Sequence, residues 1–384
     1  MESTDIIQPK IEPANYYASP TPVSPEPLPL APGFEWCELD LKNDEQLEEL
    51  YQLLKWHYIA DAEDNFFFLY SKEFIRWYLL QNNYRADLHV GIRKSDDQSL
   101  IGFIAAQPAT YDYKKTDFRA VEVDFLCVDT RLRGHRFAPL LILEVCRRSN
   151  IHGIYQAVYT IGKKMPKHSE ITMARYFHRI LNGHKAIEVG FVAKPETIED
   201  EDFMRAFSTP STVGHPGIRP YKKSDAAACV ELVNSHDAKY KLHRKWNGAK
   251  EFHTFFAPKT DIVQSYVIEG EDGKIEAFFS FYMIPSGVSE DGDRSNLKAT
   301  MNVGYIHTVV YDEKTDLSTG DLIADCIILA KEAGCDILNA LAIKDWAPYL
   351  QFLNFWPGDG SLYYYLFGME QEACEAHEVA VNIV

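Results

Sequence analysis

Residues 121–128 of the chain read Val-Glu-Val-Asp-Phe-Leu-Cys-Val, and residues 131–139 read Arg-Leu-Arg-Gly-His-Arg-Phe-Ala-Pro. The first run has the apolar make-up of a buried strand, and the second is a basic turn that opens an apolar helix. A strand-to-helix junction of this kind offers backbone N–H groups and a helix N-terminus to an anion. Arg131, Arg133 and Arg136 add permanent positive charge, which suits a pyrophosphate such as that of coenzyme A. A buried strand followed by a solvated arginine turn accounts for the same letters without a ligand. Cys127 sits in the apolar strand with no adjacent histidine, which marks it as core rather than as a nucleophile.

The order of elements around this junction recurs. Asn43 or Asp44 caps a helix whose apolar face is Leu47, Leu50, Leu53 and Leu54. Residues 88–93 and 100–106, joined at Ser95-Asp96-Asp97, form a predicted hairpin, followed by a strand over 120–128, an apolar helix over 138–146 and a strand over 155–160. A Pro/Gly-rich break at 208–220 ends this series. Beyond it, Ser224 and Asp225 precede a helix carrying Cys229, Val230 and Leu232, and residues 265–269 and 275–282 flank the turn Glu271-Asp272-Gly273. A strand over 301–310, a helix over 322–330 and a strand over 337–342 complete the second series.

Helix, hairpin, strand, helix, strand is the order of GNAT-type acyltransferases, met here twice, although a fold alone does not fix an activity. The predicted fold class is α/β, with two GNAT-like halves related by pseudo-twofold symmetry around a continuous sheet. The predicted boundaries are a proline-rich flexible arm over 1–32, an N-terminal half over 33–207 and a C-terminal half over 208–384.

A net charge of -17 argues against a nucleic-acid partner and suits cationic ligands such as basic peptides. The seven cysteines show no CxxC or Cys/His spacing, so neither a structural disulfide nor zinc is expected. No apolar run reaches the roughly 18 residues of a membrane helix, and the N-terminus lacks a signal-peptide pattern. The expectation is a cytoplasmic protein with no metal, and a monomer, because two halves complete one site.

The segment 121–139 is similar to the signature E-[IV]-N-F-L-C-V-H-K, then L-R-S-K-R-x-x-P, of the N-myristoyltransferase family. Asn354-Phe355-Trp356-Pro357-Gly358-Asp359-Gly360 resembles a second signature of that family, K-F-G-x-G-D-G, again near the C-terminus. Pro32-Gly33-Phe34-Glu35-Trp36, Arg175-Tyr176-Phe177-His178-Arg179 and Asn339-Ala340-Leu341 extend the resemblance from about residue 30 to the end.

The resemblance implies transfer of a myristoyl group from myristoyl-CoA, the acyl-donor substrate, to the N-terminal glycine amine of other proteins, with no further cofactor. It implies an oxyanion hole made by the backbone amides of Phe125 and Leu126. Acyl-CoA is expected on Phe125, Leu126, Cys127, Val128, Arg131, Arg133, Gly134, His135, Arg136, Phe137, Ala138 and Pro139. Peptide is expected on Asp61, Glu63, Asp64, Phe66, Tyr159, Thr160, His178, Tyr282, His307, Gly358 and Asp359, with the acidic loop favouring a lysine in the substrate. Thr160 is expected to hydrogen-bond the incoming amine.

The base implied by the family is the chain's own terminal carboxylate, here on Val384. A glycine ammonium has a pKa of about 8, so most of it is not nucleophilic at neutral pH. Burial beside a placed carboxylate favours removing both charges together. The final run 379–384 is apolar and follows a charged stretch, as expected of a tail threaded back into the core as a strand.

Departures from the family pattern point to a second reading, a weakly active relative that binds acyl-CoA or acylated peptide. Asp124 stands where the family has Asn, and a carboxylate there would oppose the developing oxyanion. Asp129, Thr130 and His135 replace the family's His-Lys and a further Lys in the phosphate turn, leaving Arg131 to compensate. Tyr16 and Tyr17 are the candidates to replace an aromatic pair near the N-terminus.

Overall fold

The computed structural model describes residues 23–59, 65–166, 168–289 and 292–384. The first series of elements is β1 (Phe34–Glu38), α1 (Asp44–His57), β2 (Phe66–Phe68), α2 (Lys72–Leu79), β3 (His89–Lys94), β4 (Leu100–Tyr113), β5 (Thr116–Val128), α3 (Phe137–Ile151), β6 (Gln156–Ile161), β7 (Thr172–Ile180), α4 (Gly183–Glu188) and α5 (Asp200–Arg205). The second is β8 (Ile218–Pro220), α6 (Ala226–Asp237), β9 (Leu242–Lys245), α7 (Ala249–Phe256), β10 (Val263–Glu269), β11 (Ile275–Met283), β12 (Ser286–Ser289), β13 (Leu297–Met301), β14 (Val303–Tyr311), α8 (Thr319–Glu332), β15 (Ile337–Leu341), α9 (Trp346–Phe352), β16 (Trp356–Phe367) and β17 (Val379–Ala380).

Local chemistry sets these boundaries. Asn43 caps α1, its side-chain oxygen accepting from the Glu45 and Gln46 N–H groups at 2.8 and 3.1 Å. Ser318 caps α8 in the same way, accepting from the Asp321 N–H at 3.2 Å. Residues 208–217 form neither helix nor strand, as their prolines and glycines require. Asp225 does not cap α6 with its side chain; its carboxylate is held by Arg219 at 2.7 Å.

The main sheet runs β1-β3-β4-β5-β6-β16-β7-β15-β14-β11-β10-β8, with β9 against β4 and β17 against β9. Read from either end, two antiparallel hairpin strands lead to a third and then to a parallel neighbour, β5 with β6 and β14 with β15. The halves exchange their last strands. β7, from the first half of the sequence, pairs with β15, while β16, from the second, pairs with β6, and β7 and β16 meet at the centre. The seam is thus built by both halves of the chain.

Helices cover the sheet at equivalent places. Phe137, Leu141 and Val145 of α3 pack with Val90, Ile92 and Ile104 of β3 and β4. Leu322, Ile323, Cys326 and Ile327 of α8 pack with Phe279, Ile306 and Val309 of β11 and β14. Each fully buried aliphatic side chain contributes roughly 1.5–3 kcal/mol, enough for these faces to fix the two halves on one sheet. Residues 24–31 lie pinned along α3. The Leu28 N–H donates to the buried Glu144 carboxylate at 3.1 Å, and Arg147 donates to the Ser24 and Pro25 carbonyls at 2.8 and 3.2 Å. Leu28 and Ala31 are buried, so this part of the arm packs against the body of the protein.

Candidate active site

The β4–β5 ladder breaks where the chemistry is expected. Phe103 pairs with Cys127 and Ala105 with Asp124, so Phe125 and Leu126 together oppose the single residue Ile104. Such a bulge removes amides from the ladder and re-aims them. Phe125 adopts φ +54°, a left-handed conformation that costs a bulky residue about 1–2 kcal/mol. Its buried ring is fixed by Tyr58, Tyr70 and Tyr78, with centroids 5.8, 5.1 and 5.8 Å away, and this packing holds the strain in place. The parallel pairing of β5 with β6 ends at Glu122 and Val158, before the bulge is reached. Backbone donors beyond the last pair are where an oxyanion could be received.

Asp124, beside the bulge, does not stand as an isolated negative charge. Its carboxylate accepts a hydrogen bond from the Tyr78 hydroxyl at 2.5 Å. The residue keeps some accessible surface, yet protein atoms crowd its carboxyl enough for burial to push its pKa up to about 7, with Glu122 adding to the rise and Tyr78 and Arg244 opposing it. Glu122, two residues earlier, is buried against Arg244 at 2.8 and 3.0 Å, and Arg244 stacks over the Trp246 ring at 4.2 Å.

The basic junction holds its own charges closely. Asp129 is buried and accepts from Arg131 at 2.5 Å, which keeps its carboxyl below the usual range against the effect of burial. Arg131, expected to make up for the missing family lysines, is thus engaged by the added carboxylate. Arg133 donates to the His57 carbonyl and, at 3.4 Å, to the Val128 carbonyl. Gly134 has φ +86°, and Arg136, exposed with φ +66°, leads into α3, where Phe137 is buried, Ala138 half-buried and Pro139 exposed. His135 lies 3.3 Å from the Leu132 carbonyl. Cys127 is core: its thiol is buried near the Leu53 carbonyl and burial pushes its pKa up to about 12.

The C-terminal tail returns to the seam. Only Val379–Ala380 pair as a strand, against β9; the remainder is extended and held by side chains rather than by a ladder. The Tyr364 hydroxyl donates to the Val381 carbonyl at 3.0 Å, and the Asn382 side chain donates to the Ile306 and His307 carbonyls at 2.7 and 3.3 Å. Val381 and Ile383 are buried, and Val384 is half-buried against the apolar cluster that contains Phe125, Tyr282 and Tyr305. Thr160 pairs across the seam with Tyr364, and Tyr159 stacks on Tyr365 at 5.3 Å.

The remaining expected peptide residues form two neighbouring aromatic groups joined by Asn339. His178 bonds Asn339 at 2.7 Å, packs edge-on against Phe191, and lies so close to Gly358 that a Cβ there would overlap its ring. Phe191 also contacts Phe66 at 5.7 Å. Tyr305, close to Asn339, stacks on Tyr282 at 5.2 Å, and Tyr282 contacts His307 at 6.2 Å. Burial lowers the pKa of His178, and lowers that of His307 to about 3, so both rings are neutral at pH 7. His307 lies behind the tail rather than on an open surface. Asp359 is exposed on β16, and Arg175 donates to the neighbouring Gly358 carbonyl at 2.6 Å. Asp61, Glu63 and Asp64 lie outside the described residues.

Sequence reasoning missed Tyr78, Arg244 and Tyr364. Arg244 and Tyr78 stand in segments with no distinguishing pattern, whereas the aromatic run Tyr363-Tyr364-Tyr365 does signal a buried strand. A groove of about 1000 Å³ beside α6, lined by Arg219, Glu231, Lys239 and Lys314 among others, shares no residue with this site. No group of three or more metal-ligating side chains occurs among the described residues.

The strand bulge and the chain's own end meet in one apolar cluster on a doubled α/β sheet, an architecture suited to an acyltransferase. The chain belongs to the Myristoyl-CoA:protein N-myristoyltransferase family, whose N-terminal domain matches residues 13–171 and whose C-terminal domain matches residues 188–381. It is 37% identical over 356 residues to glycylpeptide N-tetradecanoyltransferase 2 of Danio rerio, covering 93% of this chain and 70% of that protein. With the glycylpeptide N-tetradecanoyltransferase of Saccharomyces cerevisiae the identity is 35% over 370 residues, covering 91% and 80%. A crystal structure of the Saccharomyces cerevisiae N-myristoyltransferase with bound myristoyl-CoA matches with a TM-score of 0.87 at 32% identity, covering 94% of this chain and 92% of that one.

Proposed function

We propose that this chain transfers a myristoyl group from myristoyl-CoA to the N-terminal glycine of protein substrates by direct attack of the amine on the thioester. The observation that carries this reading is the bulge at Phe125 and Leu126, which lies beyond the last β5–β6 pair. The two backbone amides receive the developing oxyanion, and removing one such donor typically costs about 2.7–4 kcal/mol. The Val384 carboxylate takes the proton from the glycine ammonium, and Thr160 orients the amine. The bonds by which the Tyr364 and Asn382 side chains hold the tail support this role, because they bring an apolar end to the seam.

Residues 33–207 mainly hold acyl-CoA and residues 208–384 mainly hold the peptide. The exchange of β7 and β16 makes each half depend on the other. The protein acts as a cytoplasmic monomer on myristoyl-CoA and glycine-led peptides, needs no other cofactor, and does not act on nucleic acid. Its seven free thiols suit a reducing compartment. Among the described residues, no helix is long and apolar enough to cross a membrane.

Single-turnover transfer from myristoyl-CoA to a peptide beginning Gly-x-x-x-Ser-Lys, with and without Val384, tests the reading. Loss of transfer with that residue supports the terminal base. Transfer that survives its removal refutes that assignment, and binding of myristoyl-CoA without any transfer refutes the enzymatic reading.

A further inference from the structure

We propose that Tyr78 and Asp124 form a positioning pair for acyl transfer that works in its proton-bearing form, supplying a neutral wall behind the amides of Phe125 and Leu126. The inference rests on the transferase reading given above and adds to it a pair of residues and a pH dependence.

The geometry ties the pair to the bulge. Asp124 is the last residue of β5 in regular register before Phe125 and Leu126 bulge out. Tyr78 reaches it from α2 at 2.5 Å, and the ring of the same tyrosine packs against Phe125 at 5.8 Å. One side chain therefore grips both the bulge and the acid beside it. A carboxylate fixed there would repel an oxyanion forming at the adjacent amides, whereas a carboxylic acid of the same shape would not.

The surrounding groups set the protonation of Asp124. From its own strand, Glu122 opposes ionisation, and from β9 Arg244 favours it, although Arg244 is already bonded to Glu122. From α2 the Tyr78 phenol donates to the carboxylate and favours ionisation. Tyr58, Tyr70, Tyr111 and Tyr282 also face Asp124 electrostatically, and each is held far above its ordinary pKa by burial, so none brings a charge at neutral pH. Burial by these elements is the largest influence, and it favours the acid form up to about pH 7.

The experiment compares the full chain with D124N and Y78F. Asn keeps the shape and the acceptor for Tyr78 and carries no charge at any pH. The ratio of kcat for D124N to kcat for the parent should be near one at pH 6 and rise about tenfold by pH 8.5, because charge repulsion of about 1.4 kcal/mol corresponds to that factor. A merely structural Asp124 gives a ratio that does not change with pH, and that result overturns the inference. Infrared spectra of the protein without substrate provide a reading independent of turnover. The band of a protonated carboxyl should be present at pH 6, fade through pH 7 and be absent in D124N. In Y78F its midpoint should move upward, since a donor to the carboxylate is lost. Absence of that band at pH 6 overturns the inference even where transfer occurs. Failure of every form to transfer, with the band present, counts against the transferase reading alone.

Discussion

Tyr364 pairs with Thr160 across the seam and, through its hydroxyl, donates to the Val381 carbonyl at 3.0 Å. One buried tyrosine thus links the residue expected to orient the amine with the tail expected to remove its proton. Y364F leaves the Val381 carbonyl without that donor, which costs about 1–2 kcal/mol of stability. If the tail is the base, its misplacement lowers kcat by about tenfold while the KM values change less than twofold. Rapid-quench kinetics with myristoyl-CoA and a glycine-led peptide checks this, and an unaltered kcat would show that the tail's placement does not govern the rate.

Asp129 and Arg131 set a second prediction. The carboxylate occupies the cation nearest the turn, yet an asparagine there could still accept the Arg131 N–H bond that Asp129 now accepts at 2.9 Å. D129N should tighten acyl-CoA binding about fivefold, corresponding to roughly 1 kcal/mol for one charge at contact range in water. The gain should shrink as salt rises, because the Arg131 side chain is 76% exposed. Titration calorimetry at low and high salt measures both effects, and equal affinities of parent and variant would mean that this turn does not read the phosphates.

Gly358 supplies a third test. A methyl group at this position would overlap the His178 ring and drive it from Asn339, its partner at 2.7 Å. G358A should raise the KM for peptide about tenfold and leave the KM for myristoyl-CoA within twofold, since only the group proposed for the peptide side is disturbed. Steady-state kinetics with each substrate varied in turn separates the two. A change confined to the acyl-CoA KM would place Gly358 on the wrong side of the site.

What the sequence made legible, and what it hid, follows from the range of the interactions. The β3–β4 and β10–β11 hairpins, α3 and α8 were readable because alternation, turn residues and caps act within a few positions. The bulge was not, since 121–128 reads as an unbroken strand and only the mismatch with β4 reveals the extra residue. The exchange of β7 and β16 depends on pairings between distant segments, for which no local pattern exists. The Glu122–Arg244 pair, 122 residues apart, was hidden for the same reason. The apolar run 379–384 did announce a buried tail, but not that side chains from β16 and its own Asn382 would hold it in place of a strand ladder.

Asp124 also makes folding stability depend on pH, with a sign opposite to that of an ion-paired carboxylate. Its pKa rises from about 3.9 in the unfolded chain to about 7 in the folded protein. Below about pH 4 both states carry the proton and the full contribution is present. As pH rises toward 7 the unfolded chain releases its proton first, so stability falls, and the loss is complete above the folded pKa. D124N cannot titrate and escapes this loss. Relative to the parent, it should therefore gain about 2–3 kcal/mol between pH 5 and pH 8, at 1.36 kcal/mol per pKa unit. Urea unfolding of both proteins at the two pH values measures the difference. A constant offset between them would mean that the carboxyl is already ionised at pH 5, and would remove the neutral acid from behind the bulge.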